Sequence, residues 1–126
     1  YLRAVDPHAF ELLSHVPVRF ARRQKQFSKD LEVPIVELRG GEPHRVRASY
    51  FTFAPHRMPF GQMEAWYRAY ERFVKLVGDE RHQYRVALAA GDFVLYDNYR
   101  MLHARTAFTG ARWMRGVYFD QEETGA

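Results

Sequence analysis

A chain of 126 residues, 47% hydrophobic and 27% charged, can enclose one hydrophobic core and is too apolar for a disordered polymer. Its formal charge of +4 is scattered, apart from Arg22-Arg23-Gln24-Lys25, so it lacks the basic face of a nucleic-acid binder and the surplus suits anionic small molecules or simple solvation. The absence of cysteine excludes disulfides, zinc–thiolate sites and thiol nucleophiles and fits a cytoplasmic setting, and no run approaches the roughly 18 apolar residues of a membrane helix.

Tyr1-Leu2-Arg3-Ala4-Val5-Asp6 has neither an initiator Met nor the features of a targeting peptide, and reads as a chain cut from something longer. Asp6-Pro7 is a helix start, with Asp6 as N-cap and Pro7 in the first turn. Phe10, Leu12 and Leu13 form the apolar side, and Pro17 ends the helix. Residues 16–20 and 33–38 are rich in Val, Ile and Phe and read as strands. Gly40-Gly41 predicts a turn, and residues 45–53 resume the extended pattern, giving a hairpin.

The clearest helix covers residues 62–77, where Met63, Trp66, Tyr67, Tyr70, Phe73, Val74 and Val77 recur at spacings of three and four. Gly78-Asp79 ends it. Residues 84–88 alternate like a strand, Ala90-Gly91-Asp92 turns the chain, and residues 93–96 and 112–119 supply two further strands. The expected fold is mainly β with two helices, closer to a jelly roll or cupin than to an α/β sheet.

Six histidines could carry chemistry: His8, His15, His44, His56, His82 and His103. None begins a His-X-Asp, His-X-Glu or His-Glu-X-X-His motif, so no pair makes a metal site by its spacing. His8, His15, His44 and His82 suit surface or capping roles. His56 follows an aromatic strand and is a candidate for the substrate side. His103 lies in Asp97-Asn98-Tyr99-Arg100-Met101-Leu102-His103-Ala104-Arg105, nine residues before Arg112. In an extended segment Arg112, Met114, Gly116 and Tyr118 share one face. A guanidinium on an apolar inner face needs an anion, and its planar fork matches a carboxylate. Two readings stand side by side at this point. One is a pocket with an imidazole, a carboxylate-binding arginine and a tyrosine; the other is a core salt bridge with a satisfied histidine.

The segment from Gly91-Asp92-Phe93-Val94-Leu95-Tyr96 through Asp97-Asn98-Tyr99-Arg100-Met101-Leu102-His103-Ala104-Arg105 to Phe108-Thr109-Gly110-Ala111-Arg112 resembles the closing motif of the γ-butyrobetaine and trimethyllysine hydroxylases of the taurine-dioxygenase superfamily. Ala104 stands where that family has Gly. The resemblance extends back through Trp66-Tyr67-Arg68-Ala69-Tyr70 to Asp6-Pro7-His8-Ala9-Phe10, and so covers essentially the whole chain, residues 1–126.

The resemblance implies the C-terminal half of a double-stranded β-helix, a jelly-roll or cupin-like fold. It implies Fe(II) held by two histidines and a carboxylate, with 2-oxoglutarate as cosubstrate and O2 as oxidant. His103 is then one metal ligand, and Arg112 binds the distal carboxylate of 2-oxoglutarate. The other two ligands belong to an upstream His-X-Asp that this sequence does not contain. The missing N-terminal half is expected to be required for both catalysis and stable folding.

Tyr118 falls where the resemblance implies one wall of an aromatic cage for a trimethylammonium group. The run Ser49-Tyr50-Phe51-Thr52 with His56 departs from the two-asparagine segment of the carnitine-pathway enzymes and is similar to bacterial 2-(trimethylammonio)ethylphosphonate hydroxylases. Ser49, Tyr50 and His56 are therefore expected on the substrate side. Arg115 stands where the carnitine-pathway enzymes have an acidic or neutral residue, but on the face opposite Arg112. The expected partner is a small quaternary-ammonium molecule with an anionic tail, with no nucleic acid or membrane involved and a homodimer as one assembly to consider. A cupin-like binding domain without the metal is the competing reading. A hydrolase pairing His103 with Asp97 or Asp120 has no nucleophile motif behind it.

Overall fold

The computed structural model describes residues 1–24, 27–48 and 58–119, with the side chains of residues 22–24 and 27–29 left aside. Leu2–Val5 forms one helical turn, α1, which buries Leu2. Asp6 then caps α2 (Pro7–His15), its carboxylate accepting the Ala9 N–H at 3.1 Å. Its second oxygen lies 3.2 Å from Nε of Arg72, far along the sequence, so one residue both starts a helix and ties it to another. Replacing Asp6 with Ala removes the cap and a half-exposed ion pair and is expected to cost about 1–2 kcal/mol, read as a lower denaturant midpoint at unchanged slope.

β1 (Val18–Gln24) pairs antiparallel with β2 (Phe27–Val33), with Val18 opposite Val33 and Phe20 opposite Leu31. β3 (Val36–Arg39) pairs antiparallel with β4 (Glu42–Val46) across Gly40 and Gly41, whose φ values of 58° and 79° give the mirror-image turn that fits a two-residue hairpin. A bulge interrupts this ladder: Leu38 faces Pro43, but the next β3 residue, Glu37, faces Arg45. The β3–β4 turn lies where Gly40-Gly41 predicts it. β1 runs on past the expected strand at residues 16–20, the strand expected at residues 33–38 is realised as β3 from Val36, and β2 is not among the expected strands. β1 and β2 pair with each other in a sheet separate from β3–β4.

α3 (Phe60–Gly78) packs against α2, and α2 packs in turn on β3. Leu13, Val18, Ile35 and Trp66 are fully enclosed, with Leu2, Ala9, Phe20, Val36, Ala69 and Phe73 around them. The Trp66 and Tyr70 rings stack with centroids 5.3 Å apart, 10° from parallel. The buried stripe of α3 is therefore Trp66, Ala69, Tyr70, Phe73 and Leu76. Three members of the expected face, Tyr67, Val74 and Val77, are instead exposed along its flank. A stripe drawn from apolar residues alone overestimates its width, since the enclosed part of α3 centres on Trp66, Ala69 and Phe73.

The expected strands at residues 84–88, 93–96 and 112–119 do not form among the described residues. A strand is held by backbone bonds to a neighbour. The backbone bonds recorded for residues 84–119 are the local turns at Ala89–Asp92 and Asp97–Met101 and one long-range bond, from the Val46 N–H to the Tyr99 carbonyl at 2.8 Å. The described residues thus make two two-stranded antiparallel sheets with three α-helices, and not the closed pair of sheets of a jelly roll. The outer part of residues 45–53, from residue 49 on, lies outside the described residues. No helix among them is long and apolar enough to cross a membrane.

Candidate functional site

Past α3 the chain makes a 3-10 turn, Glu80–His82, capped by Asp79, whose carboxylate accepts the Arg81 N–H at 3.0 Å. The Arg81 guanidinium folds back on the same carboxylate at 2.6 Å and holds the Asp79 pKa down to about 2. A shallow hollow of about 200 Å³ lies here, with Arg72, Lys75, Asp79 and His82 in its wall. Its cations are already occupied: Arg72 by Asp6, Lys75 by Glu71, and His82 lies against the Tyr1 ring at 4.4 Å. This hollow has none of the residues singled out from the sequence except His82, which stays in a surface role.

The motif segment begins with a turn fixed by Asp92, whose carboxylate accepts the Ala89 N–H at 2.9 Å, with Gly91 at φ 89°. A second turn follows five residues on. The Asp97 carboxylate accepts the Tyr99 N–H at 3.0 Å, and its carbonyl accepts the N–H groups of Arg100 and Met101 at 3.2 and 3.0 Å. This places His103 just beyond a closed loop, with its ring 5.1 Å from that of Tyr96 and tilted by 47°. Among the described residues neither ring nitrogen of His103 makes a hydrogen bond, and the side chain is exposed.

A third turn, with Gly110 at φ 83°, precedes Arg112. The Arg112 guanidinium lies 5.1 Å from the centre of the Phe108 ring, and Arg105 lies 4.8 Å from the same centre. Two cations thus lie against one aromatic ring, and no carboxylate is paired with either among the described residues. Both are open to an incoming anion. Among the described residues Arg112 and His103 are both exposed, and the core salt bridge expected as the competing reading does not form there. Tyr118 is 84% exposed, so the described residues build no cage around it. Arg115 lies 4.8 Å over the Trp113 ring. Ser49, Tyr50 and His56 fall outside the described residues.

The fit to iron is that of one ligand. His103 has a free imidazole, and among the described residues no three His, Asp or Glu side chains gather to hold an ion. The described residues therefore do not by themselves make a metal centre. The sequence reading missed the contacts that organise the motif: Tyr96 beside His103, Phe108 between two arginines, and Tyr99 against β4. The signal for the last was present in Asp97-Asn98-Tyr99, since an Asp two residues before an aromatic is a ready side-chain-closed turn.

The family model for "Taurine catabolism dioxygenase TauD, TfdA family" matches residues 1–118. The chain is 34% identical over 126 residues to a gamma-butyrobetaine dioxygenase of Pseudomonas sp. (strain AK-1), covering 97% of this chain and 33% of the relative. It is 31% identical to a trimethyllysine dioxygenase of Meyerozyma guilliermondii, over 97% of this chain and 32% of that protein. The human gamma-butyrobetaine dioxygenase is 27% identical over 94% of this chain and 33% of its own length. The chain spans about a third of the length of the curated relatives it matches. With the match running from the first helix through the His103 and Arg112 segment, the chain belongs to the TauD, TfdA family of dioxygenases.

Proposed function

We propose that the protein bearing this chain is an Fe(II)- and 2-oxoglutarate-dependent hydroxylase of a small quaternary-ammonium molecule with an anionic tail. The observation that carries this reading is the family match across residues 1–118, which includes His103 and Arg112 nine residues apart, both exposed. In this reading His103 is one of three metal ligands, and the others come from residues outside this chain. When bound, iron supplies the oxygen chemistry, with 2-oxoglutarate oxidised and decarboxylated to succinate.

Arg112 binds the far carboxylate of 2-oxoglutarate through its planar fork, with Phe108 steadying the guanidinium from one side. Tyr118 offers a π face to the trimethylammonium group, which cannot donate a hydrogen bond and so is best recognised by aromatic faces. Ser49, Tyr50 and His56 complete the substrate side. Two of the relatives described above act, by their names, on γ-butyrobetaine and trimethyllysine. The resemblance of the Ser49-Tyr50-Phe51-Thr52 run to bacterial 2-(trimethylammonio)ethylphosphonate hydroxylases is the ground for a phosphonate tail over a carboxylate. The completed fold in this reading is a double-stranded β-helix, in which residues 84–119 become paired strands. The enzyme works in the cytoplasm, and a homodimer is compatible with it.

The test is succinate formation by the full-length protein, dependent on 2-oxoglutarate, with γ-butyrobetaine and 2-(trimethylammonio)ethylphosphonate offered separately. Turnover of the phosphonate in preference to γ-butyrobetaine is the expected result; turnover of neither overturns the substrate assignment. Arg112→Ala is expected to raise the KM for 2-oxoglutarate by about 10- to 100-fold, the loss of one or two hydrogen bonds to a charged group. Arg112→Lys should recover only part of this, because a point charge cannot reproduce the fork. An unchanged KM in Arg112→Ala would remove Arg112 from the cosubstrate site.

A further inference from the structure

The long-range backbone bond from residues 84–119 to the rest of the structure is made at β4, and it does not stand alone. The Val46 N–H donates to the Tyr99 carbonyl at 2.8 Å, and the neighbouring Arg45 guanidinium lies 4.1 Å from the centre of the Tyr99 ring. Arg45 is available for this because Glu37, opposite it on β3, is taken by Arg47. Tyr99 is equally fixed from its own side, since the Asp97 carboxylate holds its N–H. Pro43, His44, Arg45, Val46 and Arg100 enclose a small hollow of about 100 Å³ at this junction. The turn is thus closed by its own hydrogen bonds, it is docked on a strand through two different kinds of contact, and its Tyr99 lies four residues before His103.

We infer that Arg45 is a positioning residue for His103: by clamping Tyr99 onto β4 it fixes where the segment leaves the turn, and so where the imidazole is presented. This rests on the reading of His103 as a metal ligand. Arg45 itself touches neither metal nor substrate in this inference. The cation over the ring, and not the tyrosine hydroxyl, is the element that matters, so Tyr99→Phe should be silent where Tyr99→Leu is not.

The experiment measures Co(II) affinity of the full-length protein by calorimetry, with Co(II) standing in for Fe(II), together with amide exchange of the peptide spanning residues 97–103. His103→Ala is expected to abolish binding at this site. Arg45→Ala and Tyr99→Leu should each weaken Co(II) binding by about tenfold and speed exchange of that peptide, with the double variant no worse than either alone. Arg45→Lys and Tyr99→Phe should stay close to the parent. If His103→Ala keeps full affinity, the ligand assignment fails and this inference with it. If His103→Ala loses binding while Arg45→Ala keeps parental affinity, only the positioning role is overturned, even if the melting temperature of Arg45→Ala falls. Additive losses in the double variant would also overturn it, since two partners in one contact cannot be lost twice.

Discussion

His103→Ala in the full-length protein is expected to lower 2-oxoglutarate-dependent succinate formation by at least about a hundredfold, because loss of a direct metal ligand should exceed the 10- to 100-fold typical of its outer partners. The alternative cupin-like binding reading gives the opposite result. There His103 is a surface side chain beside Tyr96, and its truncation would leave ligand binding intact. The measurement is initial rate at saturating 2-oxoglutarate, with far-ultraviolet circular dichroism to show that the variant is folded. His103→Gln is the informative companion. It preserves bulk and polarity but is a poor replacement for a nitrogen donor, so it should be nearly as inactive. A His103→Ala enzyme with more than about a tenth of parental activity would place the ligand elsewhere.

The second large effect concerns residues 84–119. Their apolar side chains are held out in water: Tyr84, Phe93, Leu95, Trp113 and Tyr118 are each more than three-quarters exposed. Among the described residues their backbone groups have a single long-range bond, to β4. In the isolated chain, amide exchange of these residues should therefore run close to the unprotected rate. In the full-length protein, with neighbouring strands supplied, the same amides should slow by at least about a thousandfold, as core strands do. Pulse-labelling mass spectrometry of the two proteins side by side reads this directly. Equal and strong protection in the isolated chain would mean that the segment finds its partners within these 126 residues.

The pattern of what the sequence revealed follows the range of the forces involved. Asp6-Pro7, Gly40-Gly41 and Gly78-Asp79 act within a few residues, and the structure places a helix start, a hairpin turn and a helix end there. The apolar period of α3 was equally legible, but which edge of the stripe would be covered depends on α2, and Tyr67, Val74 and Val77 fell on the uncovered side. The strands at residues 84–88, 93–96 and 112–119 depend wholly on neighbours, and alternation alone does not supply a neighbour. For the site, the family-like motif singled out His103 and Arg112, both of which are exposed among the described residues. Their mutual geometry could not be read from spacing, since it depends on turns at Asp97 and Gly110 and on docking at β4.

The bulge in the β3–β4 hairpin gives the length of that hairpin a meaning of its own. Counted back from the Gly40-Gly41 turn without interruption, the ladder would set His44 opposite Glu37 and Arg45 opposite Val36. Val36 is buried, so that register would press a guanidinium against the core and leave Val46 outside. One additional residue in β4 exchanges the two, giving Val46 to Val36 and Arg45 to the side where Tyr99 waits. Between Gly41 and Arg45 the number of residues therefore matters as much as their identity. A single deletion there would displace a charge and a hydrophobic side chain together, in a hairpin whose tip looks free to vary.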